Sequence, residues 1–379
     1  MNIVIKEVKS RKDLKKFISF PNKLYKSNKY YIPQLHKDEM SLFDKAKNPA
    51  YEFCEVNLWL AYCNEKIVGR IAGIINNRYN EKWQKKICRF GWIDFIDDYS
   101  VSKALLEKVE NWARGYGLNA VHGPLGFTDL DPEGMLIEGF EELGTIATIY
   151  NYSYYPEHLK KLGYQIDVDW VEFEINVPEK VPEKIERIAK VVQKRQKLRI
   201  LHASKIKEIK PYCMEVFKLL NTSYNELYGF VPLSERQIEY YIAQYINFAN
   251  PKLISIILDE KGKVAAFGLT FPSLSKAFQK ANGKLFPFGF IYILKAMKKN
   301  DRVDLYLVAV RPDLQSKGVN SLLFKELIKI YIKNKFKKAE SNPELETNLK
   351  VQAQWKYFDR RQHRRRRCFI KYLDNRKEI

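Results

Sequence analysis

Residues 2–8 carry the short β-branched apolar run Ile3-Val4-Ile5 ahead of Lys6-Glu7-Val8, which predicts a first strand. The next segments, 12–26, which is strongly basic, and 33–46, read as helical or irregular. Two apolar runs follow, 56–63 (VNLWLAYC) and 67–75 (IVGRIAGII), joined by Asn64, Glu65 and Lys66. So short a polar connection between such runs predicts a β-hairpin. A third strand is expected over 88–96. Val101, Ala104, Leu105, Val109 and Trp112 then recur at helical spacing and predict a helix over 100–114, stopped by Gly115-Tyr116-Gly117. A short strand over 119–122 completes a strand–helix–strand order, the signature of a parallel crossover.

The second half repeats this order. A short strand (198–203) and two helical patterns (206–220 and 234–245) lead to a hairpin of 253–258 and 264–271 across Asp259-Glu260-Lys261-Gly262. A buried-type strand (303–310), a helix (317–334) and a short strand (338–341) follow. The offset between equivalent positions grows from 197 (Ile67 to Val264) to 217 (Val101 to Gly318). The longer link 272–302, with its apolar stretch 286–297, accounts for the growth. The pattern predicts an α/β chain (α+β, mixed sheet) of two copies of one unit, 1–180 and 181–379. The boundary falls in the charged, proline-containing stretch 177–197. Two unrelated α/β domains are the alternative.

The strand at 303–310 runs into Arg311-Pro312-Asp313-Leu314-Gln315-Ser316-Lys317-Gly318-Val319-Asn320 and then into an amphipathic helix. A helix start directly after a strand offers unpaired N–H groups and a partial positive charge of about half an electron. Gly318 lets backbone approach a ligand closely, and Lys317 adds a full charge. The combination suits a phosphate. A plain strand-to-helix turn with a packing glycine is the alternative.

The stretch from Leu307 to Asn320 resembles the acyl-CoA-binding motif of the GNAT superfamily of N-acyltransferases, Q/R-x-x-G-x-G/A, matched by Gln315 and Gly318. Asn320 stands where that family has Gly or Ala, so its side chain would either crowd the phosphates or donate to them. The whole chain resembles bacterial tandem GNAT-like proteins through Gly69-Arg70-Ile71-Ala72-Gly73-Ile74-Ile75-Asn76, Gly123-Pro124-Leu125-Gly126-Phe127, Tyr154-Tyr155-Pro156-Glu157-His158-Leu159, Gly229-Phe230-Val231-Pro232 and Leu345-Glu346-Thr347-Asn348. The resemblance implies two GNAT-like units, with acetyl-CoA or another acyl-CoA as co-substrate and a small-molecule or peptide amine as acceptor. It implies donor contacts from Val308, Val310, Gln315, Ser316, Lys317, Gly318, Val319 and Asn320.

The equivalent stretch of the first half reads Asp97-Asp98-Tyr99-Ser100-Val101-Ser102. It has no glycine, and its two carboxylates would repel a pyrophosphate. Asp98 or Ser100 reads as a helix N-cap, so the first unit is expected to hold no CoA. For the acceptor step, an amine must lose a proton to a base and the thiolate must gain one. Glu340, at the end of the short strand 338–341, is the carboxylate candidate; a surface acid among lysines is the alternative. Asn348 falls early in the next helix, where many family members carry an Asn. Tyr357 is a possible acid, although the family spacing lands on Trp355. No Ser–His–Asp or Cys–His spacing suggests a covalent intermediate. The resemblance also leaves a non-catalytic reading, a tandem fold that binds CoA, an acidic protein or nucleic acid.

Composition refines this picture. The formal net charge of +21, from 66 Lys+Arg against 45 Asp+Glu, makes a basic protein that favours anionic partners. The five cysteines and five histidines are scattered without metal-ligand spacing, so no metal is expected and a cytoplasmic location is. No apolar run is long enough for a transmembrane helix. The densest charge is Arg360-Arg361-Gln362-His363-Arg364-Arg365-Arg366-Arg367. It reads as a charged edge strand, or as a docking patch for an acidic carrier protein or anionic lipid; nucleic acid is the least favoured partner. The cluster Tyr150-Asn151-Tyr152-Ser153-Tyr154-Tyr155 reads either as core or as a cleft wall.

Overall fold

The computed structural model describes residues 2–246 and 249–373. It contains strands β1 (Val4–Glu7), β2 (Cys54–Cys63), β3 (Lys66–Asn76), β4 (Ile87–Phe95), β5 (Ala120–Gly123), β6 (Met135–Glu138), β7 (Gln165–Asn176), β8 (Arg199–Leu201), β9 (Ile254–Leu258), β10 (Val264–Pro272), β11 (Arg302–Val310), β12 (Lys338–Ser341), β13 (Glu344–Leu345) and β14 (Arg360–Tyr372). The chain divides into two compact units. Unit 1 takes Met1–Val171, Leu274–Ile293 and His363–Ile379; unit 2 takes Glu172–Ser273 and Leu294–Gln362. The first change of unit falls between Val171 and Glu172. The units are not contiguous in sequence, because both β7 and β14 cross from one to the other.

In unit 1 the order is β1-β2-β3-β4-β5, antiparallel except for the parallel pair β4/β5. The helix Tyr99–Gly115 links that pair and buries Val101, Leu105, Leu106, Val109 and Ala113. Unit 2 shows the same order, β8-β9-β10-β11-β12, again with only the last pair parallel. Its crossover helix is Val319–Lys333, which buries Leu322, Leu323 and Leu327. The repeated strand order is the topological form of the expected duplication.

The presumed boundary is structured. Residues 183–195 form a helix whose Ile185, Ala189 and Val192 are buried. Ala189 and Val192 pack with Val310, Leu314, Val319, Leu322 and Leu323 in the core of unit 2. Its many charges hid a narrow apolar stripe at helical spacing.

The arginine run corrects a second expectation. β14 is no edge strand: within unit 1 it pairs with β5 through Phe369 to Tyr372 and with β6 through Arg365 to Arg367. Arg364 and Arg366 are each only 1% exposed. Arg364 Nη1 donates to the Leu143 carbonyl at 2.6 Å, and Arg366 Nη1 to the Ile149 carbonyl at 2.5 Å. Both line a small pocket with Tyr30, Thr145, Thr148 and Tyr150. Arg365 and Arg367 converge on Asp169, and Arg361 bonds Glu174. Of the six arginines proposed as a docking patch, only Arg360 and Arg361 are exposed. The run is internal wiring, because unbonded buried charge is too costly to keep.

Candidate functional site

In unit 2 the parallel register of β11 and β12 runs from Arg302↔Lys338 to Leu305↔Ser341. β12 then ends, while β11 continues to Val310. The strands therefore part at residue 305. Asn342 closes the fork: its N–H bonds the Leu305 carbonyl and its Nδ2 the Tyr306 carbonyl. The Asn342 Oδ1 is buried and has no hydrogen-bond partner among the described residues.

Beyond the fork, Arg311 N–H reaches the Ala265 carbonyl of β10's side. Alternation then turns the polar backbone groups of Val308 and Val310 away from β10. Their carbonyls accept from Tyr224 Oη (3.0 Å) and Ser223 Oγ (3.1 Å), both on the helix Cys213–Tyr224. Gln315 Nε2 also donates to the Val310 carbonyl, at 3.1 Å, and so braces the loop against the strand.

That loop makes two left-handed residues, Ser316 (φ 59°) and Gly318 (φ 82°), before the helix begins at Val319. A Cβ at residue 318 would stand 3.1 Å from methyls of both Ile188 and Val192, so glycine is required by conformation and by space. The N–H groups of Val319 and Asn320 lie in the first helical turn and have no intrahelical acceptor. Asn320 sends its Nδ2 to Gln354 Oε1 at 3.1 Å, a direction fixed by a protein partner. Arg311, bonded to Asp259 and Asp313, anchors the start of the loop. The eight residues expected to meet a CoA donor thus lie on one strand end, one loop and one helix start.

The three acceptor-side candidates are dispersed. Glu340 is buried on β12, cross-strand to Asp304 and Glu174, with Arg302 Nη1 3.7 Å away. Burial works to raise the Glu174 carboxyl, but Arg361, Lys338 and Arg302 together hold it at about 2. Asn348 accepts from Val351 N–H and caps the short helix Leu349–Gln352. Tyr357 is 49% exposed and lies under Lys184.

One group escaped sequence reasoning. Glu344, on β13 just past the fork, has its carboxyl pushed up to about 8 by burial, against the bonds from Trp355 and Ser341 that favour its charge. Trp355 Nε1 lies 2.8 and 3.1 Å from its two oxygens. The only hint in the sequence was Trp355, which occupies the place of the family's tyrosine.

Among the described residues, unit 1 shows no equivalent opening. There the chain leaving β5 folds back onto β4: Leu125 N–H bonds the Phe90 carbonyl, and a Cβ at Gly91 would stand 2.4 Å from the Leu125 carbonyl oxygen. Farther along β4, Tyr155 Oη bonds Phe95 N–H and Tyr154 Oη its carbonyl. Asp98 caps the crossover helix by accepting from Ser100 N–H at 2.8 Å. Tyr155 is fully buried and also bonds Tyr25, so in this cluster the core reading holds for that ring.

Unit 1 also gathers carboxyls whose protons are held tightly. Burial raises Glu39 to about 7 and Asp131 to about 6, and raises Asp129 and Glu133 as a pair that repel one another. His122, Asp167 and Cys368 bring three ligand-type atoms within 4.8 Å of one another. Burial lowers the His122 imidazole to about 4, and the charges of Arg89 and Lys85 push it the same way. Those cations would equally oppose a metal ion.

No known family pattern matches the sequence. The chain is 26% identical over 373 residues to Protein YghO of Escherichia coli strain K12, covering 96% of this chain and 94% of that protein. It is 24% identical over 321 residues to the bacterial ceramide synthase of Caulobacter vibrioides, covering 82% of each. Among solved structures it is similar to a tandem GNAT protein from the clavulanic acid biosynthesis pathway, with a TM-score of 0.57, 9% identity and 98% of both chains covered. A GCN5-related glucosamine N-acetyltransferase region of a fungal multi-domain protein gives a TM-score of 0.56 at 12% identity, covering 98% of this chain and 38% of that one. Nearly the full length of the chain thus has the fold of a tandem GCN5-related N-acetyltransferase.

Proposed function

We propose that this protein transfers an acyl group from an acyl-CoA to an amine, with the donor held in unit 2. The observation that carries the reading is the fork of β11 and β12. It opens toward a left-handed glycine loop at a helix start, and a buried, unbonded Asn342 Oδ1 lies at its base. The loop N–H groups and Lys317 take the pyrophosphate, and the backbone of Val308 and Val310 runs beside the pantetheine arm. The amine attacks the thioester carbonyl directly. The C–S bond breaks, the amide forms, and the proton lost by the amine balances the thiolate released as CoA–SH. Glu344 is the acid–base group we favour, because its carboxyl near 8 exchanges protons around neutral pH. Glu340, with Arg302, is the second candidate, Asn348 supports the local helix, and Tyr357 faces solvent.

The named relative gives the finer reading. A ceramide is a fatty-acid amide of a long-chain amino alcohol, so we favour a long-chain acyl donor and an amphiphilic amine over acetyl transfer to a small one. The test is release of CoA thiol with acetyl-CoA and with palmitoyl-CoA, each against a diamine and a long-chain amino alcohol. Gly318→Glu should abolish both turnover and the rise in Tm that CoA produces. The pair Asp97→Lys and Asp98→Lys should leave the CoA shift intact. A CoA shift without turnover on any amine would favour the non-catalytic reading. A shift that survives Gly318→Glu would place the donor elsewhere.

A further inference from the structure

The link between β10 and β11 carries an unusual surface. Residues 273–300 hold six lysines and no acidic residue. Within it Phe286 is 77% exposed, Phe288 62% and Phe290 39%. Among the described residues these are the exposed phenylalanines, and the other large exposed apolar side chains are mostly scattered singly. The rings of Phe286 and Phe290 lie 5.7 Å apart, so the apolar groups form a patch.

Residues 274–293 of this link are part of unit 1 and are firmly bonded within it. In the helix Ser275–Ala281, Ser275 Oγ donates to the Gly144 carbonyl, and Gln279 Nε2 to the carbonyls of Lys29 and Tyr31. His36 N–H bonds the Gly283 carbonyl, and a Cβ at Gly283 would meet the His36 ring at 2.6 Å. The backbone just before Phe286 is thus fixed by polar bonds, while the aromatic side chains project into solvent. Lys276, Lys280 and Lys284, in the same unit as the rings, are exposed on the approach to the patch.

We propose that this segment docks the protein onto an anionic phospholipid surface. Exposed rings flanked by lysines, without a carboxylate among them, match the acyl–headgroup boundary: apolar groups enter and cations meet the phosphates. An acidic protein would be met by the lysines alone; the exposed rings of Phe286, Phe288 and Phe290 are what the acyl region of a bilayer accounts for. No helix among the described residues is long and apolar enough to cross a membrane, so the contact is peripheral. The proposal does not depend on the acyl-transfer reading, since it rests on a different element.

The test is flotation of the full chain with vesicles of phosphatidylcholine, with and without phosphatidylglycerol. The chain should bind the anionic vesicles, and less so as salt rises. Phe286→Ser with Phe288→Ser should weaken binding by about tenfold or more per ring removed. Lys280→Glu with Lys284→Glu should weaken it by about fivefold or more per lysine on anionic vesicles. All four positions are exposed, so Tm should hold, and Tyr116→Ser, at an exposed site away from the segment, should bind as the parent does. Failure of the parent chain to float, equal binding to neutral vesicles, or full binding by the double phenylalanine variant would each overturn the proposal. So would a fall in oligomeric mass in that variant, which would make the patch a self-association face.

Discussion

Replacing Glu344 with glutamine tests the most perturbed carboxyl near the fork. Its ordinary value is 4.5 and its value in the folded chain is about 8. The folded state therefore holds a proton that the unfolded state releases between those limits. The associated stability is fully present below pH 4.5 and is lost as pH rises through 8. At about 1.4 kcal/mol per pH unit the gap corresponds to ~5 kcal/mol. The side chain keeps some solvent contact, which reduces this to about 2–3 kcal/mol. Glutamine keeps the shape and an acceptor for Trp355 Nε1, and it cannot ionise. Urea denaturation of parent and variant at pH 5, 6.5 and 8 isolates the effect, because other raised carboxyls such as Asp131 contribute equally to both chains. The variant should match the parent at pH 5 and exceed it by about 2–3 kcal/mol at pH 8. If the difference is the same at every pH, Glu344 is not the buried, protonated group described. In the transfer assay the same variant should lose the titration near pH 8 along with most of kcat.

Two further outcomes concern the framework. Asp169→Asn leaves Arg365 and Arg367 without their shared carboxylate, at 3.2 and 2.7 Å; a loss of about 3–5 kcal/mol in chemical denaturation is expected, and a loss under about 1 kcal/mol would show that the pairs are dispensable. Tyr155→Phe removes the hydroxyl that bonds Phe95 N–H at 2.9 Å and Tyr25 Oη at 2.7 Å. It should cost about 1–3 kcal/mol and leave the CoA-induced Tm shift unchanged, whereas a lost shift would move the donor into unit 1.

The hairpins and crossovers were legible because their apolar positions follow periods of 2 and 3.6, and the left-handed turn at Gly318 because a glycine there stands between a strand and a helix. What escaped depends on partners far away in sequence. Nothing in a run of arginines reveals that Arg364 and Arg366 will find the carbonyls of Leu143 and Ile149. Hydropathy assigns such residues to the surface, and only tertiary hydrogen bonds reverse that. Glu344 is similar: its raised carboxyl arises from burial beside Trp355, and an acid in a polar stretch shows neither. The helix 183–195 was concealed by composition, with Ile185, Ala189 and Val192 scattered among charged neighbours.

The two halves share their strands crosswise. β7 begins in unit 1, and its second half, in unit 2, pairs with β12. β5 of unit 1 instead receives Phe369 to Tyr372, close to the end of the described chain. On a ribosome, which delivers sequence from one end, unit 1 cannot complete its sheet when residues 1–171 have emerged. Its unfinished edge, with buried residues such as Val121, must wait until the last strand is made. Such long-range closure slows folding and prolongs exposure to wrong pairing. The halves therefore mature together, and cutting the chain near residue 180 would yield two fragments that each lack a central strand.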